Sequence, residues 1–142
     1  KNIINNLKDD NLNVITYSSG KKLKKDTDIY LVDTYGEASR FYSLSNVTFM
    51  GGSMIKHGGQ NPLEPARLGN YIISGPNIEN FKEIYKFLEK NRMSIRTSNT
   101  TKIKKIISMR LNKKLSNNNK KKIFRIGDKI LNKNFSYISE YI

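Results

Sequence analysis

Short β-rich runs alternate with helical segments between residues 12 and 96, and this alternation constrains the fold most. The predicted strands cover 12–19, 29–33, 46–52, 71–76 and 94–96. Between them, apolar residues recur at helical spacing. The predicted helices cover about 37–45, 61–69 and 80–91. Strands that alternate with helices are typical of a parallel sheet. The sequence therefore predicts an α/β class with a Rossmann-like parallel sheet and helices on both faces.

The C-terminal part of the chain has a different composition. An apolar stripe at helical spacing covers 103–111, a polar break covers 112–122, and further helical stripes cover 123–142. Residues 102–134 hold twelve of the chain's 26 Lys and Arg residues and one acid. The length of 142 residues is that of one domain. We therefore predict a single domain over 1–142 with a basic helical tail at about 102–142.

The net charge of +14 is compatible with three interpretations. Such a charge is typical of proteins that bind nucleic acid or an anionic membrane surface. Lys, Asn and Ile make up 56 of 142 residues, and their A- and T-rich codons also explain the excess without any function. No aromatic stacking motif interleaves the lysine run, which disfavours nucleic acid.

Other classes of protein are disfavoured by composition. The chain has no cysteine, so we expect no disulfide framework and no thiolate metal site. No apolar run approaches the roughly 18 residues of a spanning helix, and no signal peptide opens the chain. A soluble cytoplasmic domain fits these features best.

The stretch GGSMIKHGGQNPLEP, residues 51–65, is unlike its surroundings. Gly51 and Gly52 follow a predicted strand, and Gly58 and Gly59 precede a predicted helix. Glycine has no Cβ, so a ligand can approach its backbone closely. In parallel sheets, ligands bind at the carboxyl ends of the strands, where these glycines fall.

The helix that follows has an unusual start. Asn61 is a natural N-cap and Pro62 suits the first helical position. Because Pro65 has no N–H, the free donors are expected to be those of Asn61, Leu63 and Glu64. Together with the helix dipole they indicate an anion site, for which phosphate is the natural occupant.

A purely structural interpretation of the same residues stays open. Asn61 and Glu64 also fit a capping box, in which the carboxylate accepts from the Asn61 N–H. Glu37, after the Gly36 turn at the end of the preceding strand, favours a nucleotide site with carboxylates for ribose hydroxyls. His57 is the only histidine, and it fits either a structural role or contact with phosphate or acceptor.

These residues resemble the 3-deoxy-D-manno-octulosonic acid (Kdo) transferases across about residues 29–90. The matching strings are DTYGE at 33–37, FMGGS at 49–53, HGGQNPLEP at 57–65, GP at 75–76 and NF at 80–81. The resemblance implies the C-terminal, donor-binding half of a two-domain GT-B glycosyltransferase. Such an enzyme moves Kdo from CMP-Kdo to a lipid A precursor in lipopolysaccharide synthesis, at the cytoplasmic side of the bacterial inner membrane.

The resemblance also implies site residues. The CMP-binding residues would be Tyr35, Gly36, Glu37, Asn61, Pro62, Leu63 and Glu64. A phosphate or acceptor loop would comprise Gly51, Gly52, Ser53, His57, Gly58 and Gly59. Tyr35 replaces the Met or Leu that is common in the family. The family's catalytic base lies in the N-terminal domain, and nothing in this chain matches it.

The implied partners are CMP-Kdo, a lipid A precursor, an anionic membrane surface and the missing N-terminal domain, without nucleic acid. No metal and no cofactor are implied, and the chain alone is expected to be inactive. Two alternatives remain open, namely the donor domain of another GT-B enzyme that uses a UDP-sugar, and a non-enzymatic basic module that binds nucleic acid.

Overall fold

Five short parallel strands and the helices between them make up the described part of the computed structural model, residues 2–111 and 121–125. The strands are β1 (Val14–Thr16), β2 (Ile29–Leu31), β3 (Val47–Phe49), β4 (Tyr71–Ser74) and β5 (Ser94–Arg96). The helices are α1 (Asn2–Asp9), α2 (Ala38–Ser43), α3 (Leu63–Arg67), α4 (Lys82–Lys90) and α5 (Thr100–Leu111). Single 3-10 turns cover Tyr17–Ser19 and Glu79–Phe81, and residues 121–125 are also helical.

Every strand pairing among the described residues is parallel. β1 pairs with β2, with Ile15 opposite Tyr30. β4 lies between β3 and β5, with Ile73 opposite Ile95 on one side. The predicted parallel α/β class with flanking helices is confirmed. The hydrogen bonds divide the strands into a two-stranded and a three-stranded sheet, whereas the sequence predicted one sheet over 12–96. The alternation predicts parallel pairing but does not determine which strands are neighbours.

The chain forms two compact units, Lys1–Ala38 and Ser39–Ile142, and each contains one of the sheets. The hydrophobic core of the second unit lies between its sheet and its helices. Its buried members are Met50, Ala66, Ile72, Ile78, Tyr85, Leu88 and Met93. Full burial of one such side chain contributes about 1.5–3 kcal/mol. This cluster therefore fixes the strand ends from which the functional loops emerge.

Helix α4 shows how the apolar stripe determines packing. Its predicted face is Phe81, Ile84, Tyr85 and Leu88. Tyr85 and Leu88 are fully buried, and Phe81 and Ile84 pack against the core. The prediction of this helix and of its buried face is confirmed, although its first turn at Glu79–Phe81 is 3-10 rather than α-helical.

Strand β1 is shorter than predicted because side chains divert its backbone. Asp33 accepts hydrogen bonds from the Ser18 N–H at 2.9 Å and from the Ser18 hydroxyl at 2.6 Å. The Ser19 hydroxyl donates to the Thr16 carbonyl at 2.6 Å. The Ser19 bond is local and the Ser18 bonds are long-range, and both offer this segment an alternative to the strand ladder. The chain therefore turns at Tyr17–Ser19 instead of extending to residue 19.

The basic C-terminal part is described only in part. The helix predicted over 103–111 is confirmed as α5, which lies against β3. The Arg110 guanidinium stands 3.9 Å from the centroid of the Tyr71 ring, a cation–π contact. The polar break was predicted over 112–122, but residues 121 and 122 are helical. Residues 112–120 and the stripe beyond residue 125 lie outside the described residues, so the basic helical tail to residue 142 stays a prediction.

Candidate functional site

Ser53 fixes the loop that follows β3. Its hydroxyl donates to the Met50 carbonyl at 2.6 Å and accepts from the Gly75 N–H at 2.8 Å. Its carbonyl accepts from the backbone and side-chain amides of Asn77, at 3.0 and 3.2 Å. Ser53 is fully buried, so these bonds are shielded from water. They join the loops that follow the carboxyl ends of β3 and β4.

Close packing explains why glycine is required at two positions near Ser53. A Cβ on Gly75 would lie 2.3 Å from the Ser53 carbonyl oxygen. A Cβ on Gly58 would lie 2.4 Å from the Asn80 side-chain nitrogen, and Gly58 has a left-handed φ of +83°. The sequence predicted that Gly58 leaves room for a ligand, whereas here Asn80 fills that space. The role of the loop in contacting phosphate or acceptor stays a prediction.

The loop from Gly51 to Gly58, which follows β3, carries exposed side chains on an ordered backbone. His57 is exposed. Its N–H donates to the Ile55 carbonyl at 2.7 Å, and its ring lies 2.8 Å from where a Cβ of Gly52 would stand. Gly51 has no atom within 4 Å of its Cβ position, so that side of the loop is open.

Helix α3 begins differently from the prediction. It starts at Leu63, so Pro62 precedes the first helical residue. Pro62 is fully buried. The Leu63 N–H donates to the Asn61 side-chain oxygen at 3.0 Å. The cap position is held by Pro62, which makes no side-chain cap hydrogen bond, so the prediction of Asn61 as the N-cap was wrong. The prediction that the Leu63 N–H is a free donor was also wrong. The short asparagine side chain reaches the amide two residues ahead and takes it up.

The Glu64 carboxylate does not form the capping box that the sequence left open. Its Oε1 accepts a short hydrogen bond from the Ser39 hydroxyl, near the start of α2. Among the described residues, no hydrogen bond joins Glu64 to the Asn61 N–H. Glu64 is exposed, so its charge is accessible to a ligand. The pKa of Tyr42 is raised by burial first and by the negative charge of Glu64 second.

A cleft of about 440 Å³ surrounds the Glu64 carboxylate in the second unit. Polar walls are formed by Ser39, Asn61, Glu64 and Arg67. Leu63, Leu68 and Phe124 supply the apolar lining. The volume falls in the range of small-molecule sites. A carboxylate, a cation and an aromatic ring in one cleft match the three parts of a nucleotide, namely ribose, phosphate and base.

Three cleft residues were not predicted from the sequence, namely Ser39, Arg67 and Phe124. Arg67 lies three residues after Glu64, a spacing that places both on one side of a helix, so periodicity could have found it. Arg67 is exposed and has no ion-pair partner among the described residues. Phe124 is 49% exposed and lies 60 residues further along the chain than Glu64, so no local pattern indicates it.

The predicted CMP-binding residues fall in two groups. Tyr35, Gly36 and Glu37 belong to the first unit, and Asn61 to Glu64 belong to the second. Tyr35 is fully exposed, and Gly36 has a left-handed φ of +87° with open space at its Cβ position. The Gly36 conformation explains why glycine stands in this turn. Contact of either group with CMP stays a prediction.

Two further features concern metals and membranes. Within residues 2–111 and 121–125, no group of three or more His, Cys, Asp or Glu side chains is arranged to hold a metal ion. No helix in these ranges is both long and apolar enough to cross a bilayer.

Similar proteins are found among curated sequences and among solved structures. No protein-family model matches the chain. The 3-deoxy-D-manno-octulosonic acid transferase of Haemophilus influenzae is 38% identical over 82 residues, which is 58% of this chain. The enzyme of the same name from Rickettsia felis is 38% identical over 99 residues, 70% of this chain. The chain spans about a fifth of the length of these curated relatives, 19% and 21%.

A solved structure extends the match to three dimensions. The crystal structure of the C-terminal CMP-Kdo binding domain of WaaA from Acinetobacter baumannii superimposes with a TM-score of 0.71 at 29% sequence identity. The match covers 76% of this chain and 56% of that one. This chain resembles the Kdo transferases in sequence and in fold. The resemblance predicted from the motifs is confirmed by the curated relatives and by the similar solved structure, which is a C-terminal CMP-Kdo binding domain.

Proposed function

We propose that this chain is the donor-binding part of a Kdo transferase and that the Glu64 cleft holds CMP. The observation that carries the proposal is the chemistry of the cleft, in a fold similar to that of a CMP-Kdo binding domain. The complete enzyme transfers Kdo from CMP-Kdo to a lipid A precursor. The chain provides donor binding, and the catalytic base is supplied by the N-terminal domain that the resemblance implies.

Each wall of the cleft has a role in this proposal. The Glu64 carboxylate accepts hydrogen bonds from the ribose hydroxyls, and it exchanges the Ser39 hydroxyl for them. Arg67 pairs with the phosphate, for which a guanidinium is well suited. Phe124 offers a ring face for the cytosine, and base–aromatic stacking contributes about 1–3 kcal/mol. For Tyr35, Gly36 and Glu37 in the first unit, contact with CMP rests on the family motif alone.

The loop of Gly51, Gly52, Ser53, His57, Gly58 and Gly59 has a supporting role. The Ser53 hydrogen bonds hold its backbone rigid, and His57 and the open side of Gly51 face outward. A rigid loop contacts a phosphate or acceptor at low entropic cost, because it is ordered before binding. We propose that no metal takes part in the transfer.

The basic surface fits a peripheral position on the cytoplasmic face of the inner membrane. Lys102, Lys104 and Lys105 on α5 are exposed, whereas Arg110 is committed to Tyr71 and Lys122 donates to the Asn91 carbonyl at 2.9 Å. A cation near an anionic bilayer contributes about 1 kcal/mol, which falls off within a Debye length. The exposed α5 lysines would therefore supply the membrane contact.

The test of the CMP proposal is calorimetric titration of CMP into the purified chain and its Glu64→Gln variant. A hydrogen bond to a charged group contributes about 1.5–3 kcal/mol, so Glu64→Gln should weaken CMP binding by at least tenfold. Glu79→Gln is the matched control, because Glu79 is exposed and lies outside the cleft. Equal CMP affinity for the two variants would overturn the assignment of Glu64 to the nucleotide.

A further inference from the structure

The first unit contains a pocket that the proposed function does not use. Its volume is about 460 Å³, and it is lined by residues of α1, of β1 and of the segment 19–27. Four lysines surround it, Lys8, Lys21, Lys22 and Lys24, with Asp26 as the one carboxylate. None of the residues assigned to CMP or to the glycine loop lines it. We propose that this pocket binds the phosphate group of a phosphate ester.

The positive charge is local to the pocket. Residues 1–38 hold six lysines and six carboxylates, so this part of the chain has no net charge. Two of those carboxylates are used by the backbone: Asp28 accepts from the Asn13 N–H at 2.9 Å, and Asp33 accepts from Ser18. Among the described residues, none of the four pocket lysines forms an ion pair. The lysine side chains therefore give the pocket a local positive charge, which a bound anion would neutralise.

The segment that carries the lysines is ordered by its own hydrogen bonds. Gly20 adopts a left-handed conformation, and its N–H donates to the Tyr17 carbonyl at 3.2 Å. The Lys24 N–H donates to the Thr27 hydroxyl at 3.1 Å, and the Thr27 N–H donates to the Lys24 carbonyl at 3.2 Å. Because the backbone on both sides of Lys21 and Lys22 is fixed, less entropy is lost when an anion binds.

The lining identifies the class of ligand. Lysine ammonium groups act as compact point charges and bind phosphate without fixed geometry. The hydroxyls of Thr16 and Thr27 add polar groups at the same place. Ile4, Val14 and Ile15 give the pocket an apolar part as well. This combination suits a phosphomonoester joined to a carbon skeleton better than a bare ion.

The test is a titration of inorganic phosphate into the ¹⁵N-labelled chain at low ionic strength, with chloride at equal ionic strength as the reference. Amide shifts should concentrate on residues 16–27. The triple variant Lys21→Gln, Lys22→Gln, Lys24→Gln should weaken phosphate binding by at least tenfold. The matched triple Lys102→Gln, Lys104→Gln, Lys105→Gln removes the same charge from α5, and it should change the affinity less than twofold.

A single substitution of opposite sign separates ligand binding from a structural effect. Asp26→Asn removes the carboxylate from the pocket, so phosphate should bind at least twofold more tightly. Equal weakening by the two lysine triples would overturn the proposal, because net charge alone would then govern binding. Shifts spread evenly over the chain, or no tightening with Asp26→Asn, would overturn it too.

Two soluble esters distinguish the sources of the phosphate. If the natural ligand is a lipid headgroup, monomeric dihexanoyl phosphatidate should bind more tightly than glucose 6-phosphate, because its acyl carbons reach Ile4, Val14 and Ile15. If the ligand is a soluble sugar phosphate, the order should be reversed. In both cases the affinity must fall with the pocket triple, and an unchanged affinity would refute the site.

Discussion

Replacement of Gly75 by alanine tests how the loops after β3 and β4 are joined. The added Cβ would lie 2.3 Å from the Ser53 carbonyl oxygen and 2.7 Å from the Ser53 carbonyl carbon. Ordinary contact needs at least 3.4 Å, so the backbone must move by about an ångström. That movement would disturb the four hydrogen bonds made by Ser53 to Met50, Gly75 and Asn77.

The magnitude follows from three terms. Overpacking of a buried site costs about 1–3 kcal/mol, and each weakened hydrogen bond costs about 1 kcal/mol. Alanine also reduces the conformational entropy of the unfolded chain, which stabilises the folded state by about 0.4–1 kcal/mol and offsets part of the loss. We therefore expect Gly75→Ala to lower the free energy of unfolding by about 2–4 kcal/mol, measured by urea unfolding followed by circular dichroism.

Gly51→Ala is the matched control for this prediction. Gly51 has no positive φ, and no atom lies within 4 Å of its Cβ position. It gains the same unfolded-state term without the clash, so its free energy of unfolding should stay within about 0.5 kcal/mol of the parent or rise slightly. If the two variants unfold at the same urea concentration, the argument from close packing at Ser53 is refuted.

Two further predictions concern buried or bonded side chains. Burial raises the pKa of Tyr85 to about 12, so its contribution to stability is full below about pH 10 and is lost as the pH rises through the folded value. Tyr85→Phe should reduce this alkaline loss of stability, measured by urea unfolding between about pH 8 and pH 11.5. The same substitution should lower the free energy of unfolding by about 1 kcal/mol at neutral pH, because the Tyr85 hydroxyl donates to the Gln60 carbonyl at 3.1 Å. An unchanged alkaline profile would contradict this cause. The hydrogen bonds from Ser18 lower the pKa of Asp33, so the stability they give is present above its unfolded pKa and is lost as the pH falls through the folded value. Ser18→Ala should raise the pKa of Asp33 in a carboxyl NMR titration, and an unmoved pKa would reject the assignment.

Much of the second unit could be predicted from the sequence because its elements have clear periods. The stripe Phe81, Ile84, Tyr85 and Leu88 predicted both α4 and the face that it buries. The β-rich run at 71–76 predicted β4, whose Ile72 and Ile73 are fully buried. These features are local, so periodicity alone is sufficient to find them.

The first unit was harder to predict because its order depends on bonds between distant residues. Asp33 ends β1 through Ser18, which lies 15 residues earlier, and no local pattern indicates that bond. Helix α1 was not predicted, although Ile3, Ile4 and Leu7 recur at helical spacing. Gly58 was interpreted as a ligand contact, whereas the Asn80 side chain lies where a Cβ of Gly58 would stand.

The candidate site was predicted in part. The motif located Asn61 and Glu64, and both line the cleft. The partner of Glu64 could not be predicted, because the Ser39 hydroxyl comes from another helix. Phe124 reaches the cleft from a segment that is remote in sequence, which only the folded chain brings into contact.

The most direct test of the central claim is a comparison of CMP with UMP by calorimetric titration into the chain. The two nucleotides share ribose and phosphate, and they differ at the position where cytosine carries an amino donor and uracil a carbonyl acceptor. A site whose polar groups pair with one base leaves a buried polar group unpaired when the other base binds. That loss costs about 1–3 kcal/mol. If the cleft is a donor site for CMP-Kdo, CMP should bind at least about fivefold more tightly than UMP. Equal affinity, or a preference for UMP, would contradict the proposal and favour a UDP-sugar enzyme.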